Sequence, residues 1–233
     1  MGFRQVEWGK TERFDNNYPS DFSAVALPHY RHHTEEGTSF IYAAEGDWEV
    51  GSFGLNFTLP EGYFASVPYL HEAHTESAHH KLMVITRVGT FAPFLMGGPV
   101  EKEGRLKYID GCTDSLLIAP WKIGEPCLNH LHFPPGIDQT MHTHPSVRLG
   151  VVIRGSGKCI TPTDETDLLP GMTWVIEPDQ EHKFRTESDV LDVIAYHPDS
   201  DFGPQDEFHP MLNRTIIDGI SAADEARAQY RTQ

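Results

Sequence analysis

A repeated spacing of glycines is the feature that most constrains the fold of this chain. Gly46 and Gly62 lie 16 residues apart, as do Gly155 and Gly171, and the second pair follows the first after a shift of 109 residues. The four residues that end at Gly62 resemble those that end at Gly171, with leucine and proline in both. Similarity at a fixed offset indicates a duplicated structural unit. In a chain of 233 residues, the repeat predicts two similar units of about 100 residues each.

Short apolar segments bounded by Gly, Pro and polar residues make up most of the first 200 residues. Thr173–Ile176 and Val190–Tyr196 are rich in β-branched and aromatic residues, which favour strands. Many short strands with frequent turns are typical of β-sandwiches and barrels. We therefore predict an all-β fold of two tandem barrels, the first in residues 1–104 and the second in residues 105–205. The boundary is placed where Gly, Pro and charged residues cluster, near residues 97–111.

The end of the chain has the one convincing helix pattern. Ser221 to Asp224 resembles a capping box, with Asp in place of the preferred Glu or Gln. We predict a C-terminal tail over residues 206–233, with a short helix near residues 221–231 that packs on the barrel or on a second subunit.

The composition excludes several classes of partner. The formal net charge is −16, from 34 acidic and 18 basic residues, so the phosphates of a nucleic acid would be repelled. No apolar run approaches the roughly 20 residues of a membrane span, and the first ten residues do not resemble a secretory signal. The three cysteines, Cys112, Cys127 and Cys159, are widely spaced and odd in number, which favours a reducing compartment. We therefore predict a cytoplasmic protein.

A group of histidines carries the strongest indication of chemistry. His142 and His144 are two residues apart, so on a strand both would face the same side. Neutral imidazoles at such positions can bind one metal ion. His182 follows Gly171 after a predicted strand and a turn, which would return it to the first pair. The sequence predicts one divalent metal ion per chain, bound by three histidines.

These residues resemble the first sequence motif of the cupin superfamily. In that motif five residues separate a glycine from a His-x-His pair, and a glutamate and a second glycine follow. Gly136, His142, His144 and Gly155 match in spacing, and Arg148 occupies the glutamate position.

The second cupin motif is also present, with two departures. Gly171 and His182 match, whereas Glu177 and Asp179 replace the usual proline and glycine. The resemblance covers about residues 112–200 and implies a jelly-roll barrel with the three-histidine metal site. Cupins commonly pair through sheet edges, so the resemblance also implies a homodimer.

The replacement of the motif glutamate by Arg148 changes the charge of the predicted site. Three neutral imidazoles leave a divalent ion with its full charge and with open coordination positions. Ideal alternation places Arg148 on the same face as His142 and His144, where it would clamp a substrate carboxylate or enolate. Alternatively, a bulge or twist of the strand turns Arg148 outward into solvent.

Other candidates for the site come from neighbouring predicted strands. His130 and His132 alternate on one strand and either reach the cavity as acid–base groups or face the outside or an interface. Gln139, Trp174 and Tyr196 are weaker candidates for the cavity wall.

The first barrel is predicted to be structural and without metal. Under the shift of 109 residues, the three ligand positions correspond to His33, Glu35 and Ala73, and alanine cannot coordinate. In an alternative alignment with a one-residue insertion, His33, Glu35 and His74 would bind a second ion.

The site and the resemblance together favour an enzyme. Known three-histidine cupins suggest a dioxygenase-type oxidoreductase, with iron as the favoured ion and Zn, Mn, Ni or Cu as alternatives. The expected substrate is a small anionic or enolisable molecule that the metal chelates. Two other hypotheses stay open: a non-redox lyase, isomerase or hydrolase, and a binding or sensor protein without turnover.

Overall fold

The computed structural model describes residues 3–32, 36–122 and 124–199, together with the backbone of residues 216–217 and 220–221. These residues form β-strands and loops, with one 3-10 turn at Ile109–Gly111. In this part of the chain, no helix combines the length and apolar character that crossing a bilayer requires. The predicted helix near residues 221–231 lies outside the described residues, apart from the backbone of Ser221, which belongs to a short strand.

The N-terminal half forms two antiparallel sheets. Its strands are β1 (Lys10–Phe14), β2 (Ser20–Val25), β3 (His29–Arg31), β4 (Gly37–Glu45), β5 (Trp48–Ser52), β6 (Leu55–Leu59), β7 (Phe64–Pro68), β8 (Leu70–His74), β9 (Lys81–Val88) and β10 (Leu95–Gly97). The six-stranded sheet has the order β1-β2-β9-β4-β7-β10, and the four-stranded sheet has the order β3-β8-β5-β6. The sheets enclose an apolar interior around Ile41, Trp48 and Leu82.

The C-terminal half repeats this arrangement. Its strands are β11 (Leu106–Lys107), β12 (Thr113–Ile118), β13 (Cys127–Phe133), β14 (Arg148–Gly155), β15 (Gly157–Ile160), β16 (Glu165–Leu168), β17 (Thr173–Ile176), β18 (Lys183–Arg185) and β19 (Leu191–His197), and a separate hairpin contains β20 (Ile216–Ile217) and β21 (Ile220–Ser221). The six-stranded sheet has the order β11-β12-β13-β19-β14-β17, and the three-stranded sheet has the order β16-β15-β18. Phe133, Phe184 and Val193 pack in the interior.

The predicted duplication is present in the strands. A shift of 109 residues carries the starts of β5, β6, β7 and β9 to within one residue of the starts of β15, β16, β17 and β19. Gly46 and Gly155 have φ angles of 72° and 70°, and Gly62 and Gly171 have φ angles of 78° and 81°. Glycine adopts this left-handed conformation without steric cost, so the repeated glycines mark equivalent turns. The prediction of an all-β fold with two barrels is confirmed.

The two six-stranded sheets pack against each other face to face. On β4, Ile41 fills the first barrel while Phe40 joins the core between the sheets, and on β19 Val193 and Tyr196 divide in the same way. The rings of Phe40 and Tyr196 are 5.3 Å apart between centroids. Tyr196 therefore faces the first barrel rather than the metal cavity, because it alternates with Ala195, which lines that cavity.

The start of the chain contacts the second barrel, although it was predicted to belong to the first. The backbone N–H of Arg4 donates to the carbonyl of Val175 at 3.1 Å, which extends the second sheet beyond β17. The indole N–H of Trp8 donates to the carbonyl of Gly171 at 2.8 Å. These contacts join the two halves and support the strand that follows Gly171.

The packing of the core between the sheets predicts that two leucine substitutions differ strongly in their effect on the free energy of unfolding. Leu149 is completely buried in this core, whereas Leu169 is 57% exposed in the loop before β17. We expect Leu149→Ala to lower the free energy of unfolding by about 2–5 kcal/mol because it leaves a cavity, and Leu169→Ala to change it by less than about 0.5 kcal/mol. Urea unfolding measures both. Equal effects of the two substitutions would contradict the face-to-face packing.

Candidate metal centre

Three histidine rings meet in the second barrel. Among the described residues, His142, His144 and His182 are the one group of three potential metal ligands, with donor atoms all within 4.8 Å of one another. The ring centroids of His142 and His182 are 4.5 Å apart, and each lies 5.1 Å from that of His144. The structure therefore brings together the three residues that the sequence predicted as ligands.

Backbone hydrogen bonds hold the group together. His142 and His182 form an isolated antiparallel bridge, in which each backbone N–H donates to the other carbonyl at 3.0 Å. The N–H of Asp179 donates to the carbonyl of His144 at 2.7 Å, and Asp179 has a φ angle of 58°. Aspartate tolerates this conformation better than most residues, so it keeps the turn of the motif glycine that it replaces. The histidines lie on this bridged pair of segments rather than on the long strand that alternation predicted.

The hydrogen bonds of two rings fix their tautomers. Nδ1 of His142 lies 2.8 Å from the carbonyl of Thr140, and Nδ1 of His182 lies 2.8 Å from the carbonyl of Gln180. A carbonyl can only accept, so both Nδ1–H groups donate. In the neutral ring, Nε2 then keeps a free lone pair, and this orientation by a carbonyl is common for histidines that bind metals.

The surroundings keep two of the rings neutral, those of His144 and His182. Burial lowers the pKa of His144 to about 3, and the charge of Arg148 and the neighbouring rings add to this. Burial also lowers the pKa of His182 to about 4; the hydrogen bond to the Gln180 carbonyl opposes this shift, and His142 and Arg148 reinforce it. Both rings are therefore unprotonated at neutral pH. Three imidazole nitrogen donors suit a divalent transition metal, and the residues present fit such an ion.

The three rings face a small cavity in the barrel. The free space between the side chains holds about one or two water molecules. Its wall is formed mainly by apolar and aromatic side chains with a few polar groups: Tyr108, Leu131, Phe133, Gln139, Arg148, Trp174, Ile176, Phe184, Ala195 and His197. Arg148 and His197 also line a neighbouring open cleft, so they stand between the cavity and the surface.

Arg148 is buried beside this cavity and does not turn into solvent. Its Nη1 donates to a carboxylate oxygen of Asp199 at 3.3 Å and also contacts Ser146, which itself donates to Asp199. Sequence reasoning could not identify this countercharge, because Asp199 lies 51 positions further along the chain. Asp199 therefore balances the charge of Arg148 before any substrate arrives.

Two buried N–H groups at the cavity have no partner. Nε of Arg148 and Nε1 of Trp174 are both buried without a hydrogen bond to any described residue. Leaving a buried donor unpaired costs about 1–3 kcal/mol. Because both side chains line the cavity, a ligand with oxygen acceptors would remove this cost.

His130 and His132 do not line the metal cavity. The expectation that they reach it as acid–base groups is therefore corrected. Leu131 lines the cavity from β13, and the histidines on either side of it face the opposite side of the strand. There, Nε2 of His130 and Nδ1 of His132 each lie 2.8 Å from one carboxylate oxygen of Asp192. Arg154 donates to the other oxygen at 3.0 Å. The two histidines thus belong to a separate buried ionic cluster.

His197 is a cavity residue that the sequence reasoning missed. Its ring lies 6.5 Å from that of His144 between centroids. Burial lowers the pKa of His197 well below its ordinary value, and Arg148 and His144 lower it further. The available signal was alternation along β19, because His197 shares its face with Ala195. Gln139 lines the cavity as predicted, and its side-chain oxygen accepts from a backbone N–H at 3.2 Å.

The first barrel lacks a histidine at the one described position that corresponds to a metal ligand of the second barrel. Ala73, at the position of the third ligand, is buried in the apolar interior. His74 is exposed on β8, where its ring stacks on that of His29 at 6.0 Å between centroids. His33 and Glu35 lie outside the described residues. A first barrel without metal stays a prediction, supported by Ala73 and by the outward position of His74.

Comparison with known proteins agrees with this geometry. Residues 129–197 match the family model described as a cupin domain. No curated protein sequence matches the chain significantly. Among solved structures, a cupin 2 conserved barrel domain protein from Leptotrichia buccalis is similar, with 14% sequence identity and a TM-score of 0.56 over 83% of this chain and 91% of that protein.

Two enzymes have a similar fold at lower sequence identity. A salicylate 1,2-dioxygenase from Pseudaminobacter salicylatoxidans has 10% identity and a TM-score of 0.57, covering 80% of this chain and 75% of its own. The oxalate decarboxylase of Bacillus subtilis, described with Mn(II) centres, has 10% identity and a TM-score of 0.53, covering 87% of this chain and 78% of its own. Likeness at this level of identity concerns the fold. Together with the matched domain and both sequence motifs, it shows that residues 129–197 form a cupin domain and that the chain shares the fold of cupin proteins.

Proposed function

We propose that this cupin is a metal-dependent enzyme whose second barrel binds one divalent ion through His142, His144 and His182. The observation that carries the proposal is a group of three imidazoles facing a cavity lined by Arg148 and Trp174, each of which has a buried N–H without a partner among the described residues. Structural zinc sites use four protein ligands, whereas catalytic sites use three and leave positions open for water or substrate. The described residues supply three ligands, which favours a catalytic site.

The charges around the site favour an anionic substrate. Arg148 and Asp199 neutralise each other, and imidazoles that bind a metal carry no charge, so a divalent ion would give the cavity a net charge of about +2. The low dielectric of an apolar wall strengthens this attraction. A small carboxylate or enolate would balance the charge and accept hydrogen bonds from Arg148 and Trp174.

The leading reaction is dioxygenase-type oxidation. Iron is the favoured ion and would supply redox chemistry with dioxygen, whereas Zn, Mn, Ni or Cu are the alternatives. The side chains of the cavity would orient the substrate: Arg148 and Trp174 would donate to its oxygens, and neutral His197 would accept a hydrogen bond from a substrate hydroxyl. The apolar wall would exclude bulk water from the reacting groups.

The similar enzymes support this substrate class. Salicylate and oxalate, in the names of two structures with the same fold, are both small carboxylates. A non-redox reaction is the second candidate for this chain. It is supported by the decarboxylase, whose fold is shared over most of this chain. A cytoplasmic location is part of the proposal and is supported by Cys112, Cys127 and Cys159, which are all buried free thiols.

Removal of two ligands is predicted to abolish metal binding. Elemental analysis of the purified, iron-reconstituted protein is expected to give about one ion per chain, and His142→Ala/His144→Ala is expected to retain less than about a tenth of it, since one imidazole is a weak ligand set. The control is His29→Ala/His74→Ala, which removes two histidines from the first barrel and leaves the metal content unchanged. Metal retained by the ligand variant, or absent from the wild type, would refute the proposed site.

Arg148 is predicted to affect turnover without affecting metal content. In the iron-loaded protein, oxygen consumption with salicylate or gentisate is expected to fall about 100-fold in kcat/KM for Arg148→Gln, because a buried charged donor to the substrate is lost. Arg185→Gln, which changes a surface ion pair with Glu165, should have no such effect.

The same assay distinguishes the alternatives. Carbon dioxide release from oxalate without oxygen consumption would favour the decarboxylase-like reaction over oxidation. Thermal stabilisation by these acids with no product from any of them would instead indicate a binding protein.

A further inference from the structure

The metal cavity opens into a larger cleft. The cavity itself holds about one or two water molecules, whereas the cleft has a volume of about 530 Å³, within the range of about 300–1,000 Å³ that is usual for ligand sites. Four side chains line both spaces: Tyr108, His144, Arg148 and His197. A substrate of more than a few atoms that binds at the metal centre must therefore extend into the cleft.

The cleft contains a buried carboxylate, that of Asp114 on β12. Asp114 is 5% exposed and lines the cleft. Its partner across the strands is Leu131 on β13, which lines the metal cavity. Residues directly opposite each other in an antiparallel pair lie on the same face of the sheet, so Asp114 points to the inside of the barrel. The carboxylate is therefore available to a molecule that enters from the cleft.

Neutral groups fix the orientation of Asp114. Nδ2 of Asn129 donates to both carboxylate oxygens, at 2.8 and 3.0 Å, and Oδ1 of Asn129 accepts from the thiol of Cys127 at 3.2 Å. The thiol contact engages the amide oxygen, so the amide nitrogen is the atom that faces Asp114. Asp114 is thus held as an acceptor and keeps lone pairs for a further donor.

Asp114 has no cationic partner among the described residues. Lys107 also lines the cleft, but it pairs with Thr113, the neighbour of Asp114 on β12, and so lies on the other face of its strand. Burial raises the pKa of Asp114, which the hydrogen bond from Asn129 partly opposes. A buried carboxylate without a cation is costly, so a cation that a ligand brings to this position would be favoured.

We propose that the substrate of this site is a small carboxylic acid that also bears an ammonium group, and that Asp114 recognises the ammonium. The acid group binds at the metal centre beside Arg148, as in the proposed function, on which this inference rests. The other end extends through the cleft and donates to Asp114. Such a molecule has no net charge, so the field of a chain with a net charge of −16 does not repel it.

Binding of matched acids to the full-length, iron-loaded protein in the absence of oxygen tests this assignment. The probes are 4-amino-2-hydroxybutyrate and 5-amino-2-hydroxypentanoate, which are compared with 2-hydroxypentanoate and 2-hydroxyhexanoate, respectively. In each pair a methyl group replaces the ammonium, while the hydroxy acid that chelates the metal stays the same. Calorimetry is expected to show that the amino compound of at least one pair binds at least about 10-fold more tightly, as a charged hydrogen bond provides.

Removal of the carboxylate is expected to remove this preference. In Asp114→Asn, the ratio of the two dissociation constants is expected to fall below about 2, because the amide carries no charge, and the methyl compounds should bind as in the wild type. Asp114→Ser is the second variant, and it decides if circular dichroism shows that the first is unfolded. The control Asp167→Asn removes the same charge from an exposed position on β16 and should keep the preference.

The possible results distinguish this inference from the proposed function. Equal binding within both pairs by the wild type would overturn the ammonium assignment alone, because the acids would still bind at the metal centre. A preference that persists in the Asp114 variants would also overturn it, since another group would then recognise the ammonium. If none of the four acids binds to protein that contains one iron per chain, both this inference and the substrate class of the proposed function are wrong.

Discussion

The central strands of each six-stranded sheet are buried on both faces, and the alternation of side chains along a strand therefore divides them between two cores. On β4 and β19, one set of residues fills a barrel and the other set joins the sheets to each other. A shift of one residue in the pairing of β19 would exchange the two sets, moving Tyr196 into the metal cavity and Ala195 out of it. Such a shift is strongly disfavoured, because neither core has room for the residues of the other.

The same alternation determines the composition of the metal site. Leu131 and His197 face the cavity from β13 and β19, while His130 and His132 face away and surround Asp192. The ligands themselves lie on two segments that meet in a single bridge, next to these strands. The long strands thus provide a rigid apolar wall, and the less regular segments bring the imidazoles to it. This division is common in proteins whose functional residues lie on loops supported by a scaffold.

The second barrel contains two buried charged groups, one around Asp192 and one around Arg148, and their charges are paired differently. Asp192 accepts hydrogen bonds from two histidines and Arg154, and these bonds lower its pKa although burial alone would raise it. That carboxylate is fully engaged by the protein. Arg148 has a partner at Nη1 but an unpaired Nε, and Trp174 on the same cavity wall also has an unpaired N–H. The first cluster also contains a buried nitrogen without a partner among the described residues, Nδ1 of His130, so the two groups differ in the pairing of their charges rather than in complete hydrogen bonding.

The sequence by itself determined the duplicated all-β architecture and the three histidines that meet. Both depend on local features: glycines at turns with positive φ, and fixed spacings within the two motifs. Only the tertiary structure decided which face of β13 carries His130, which acid pairs with Arg148, and that His197 joins the cavity. These features depend on the pairing and register of strands far apart in the chain, which local spacing does not encode.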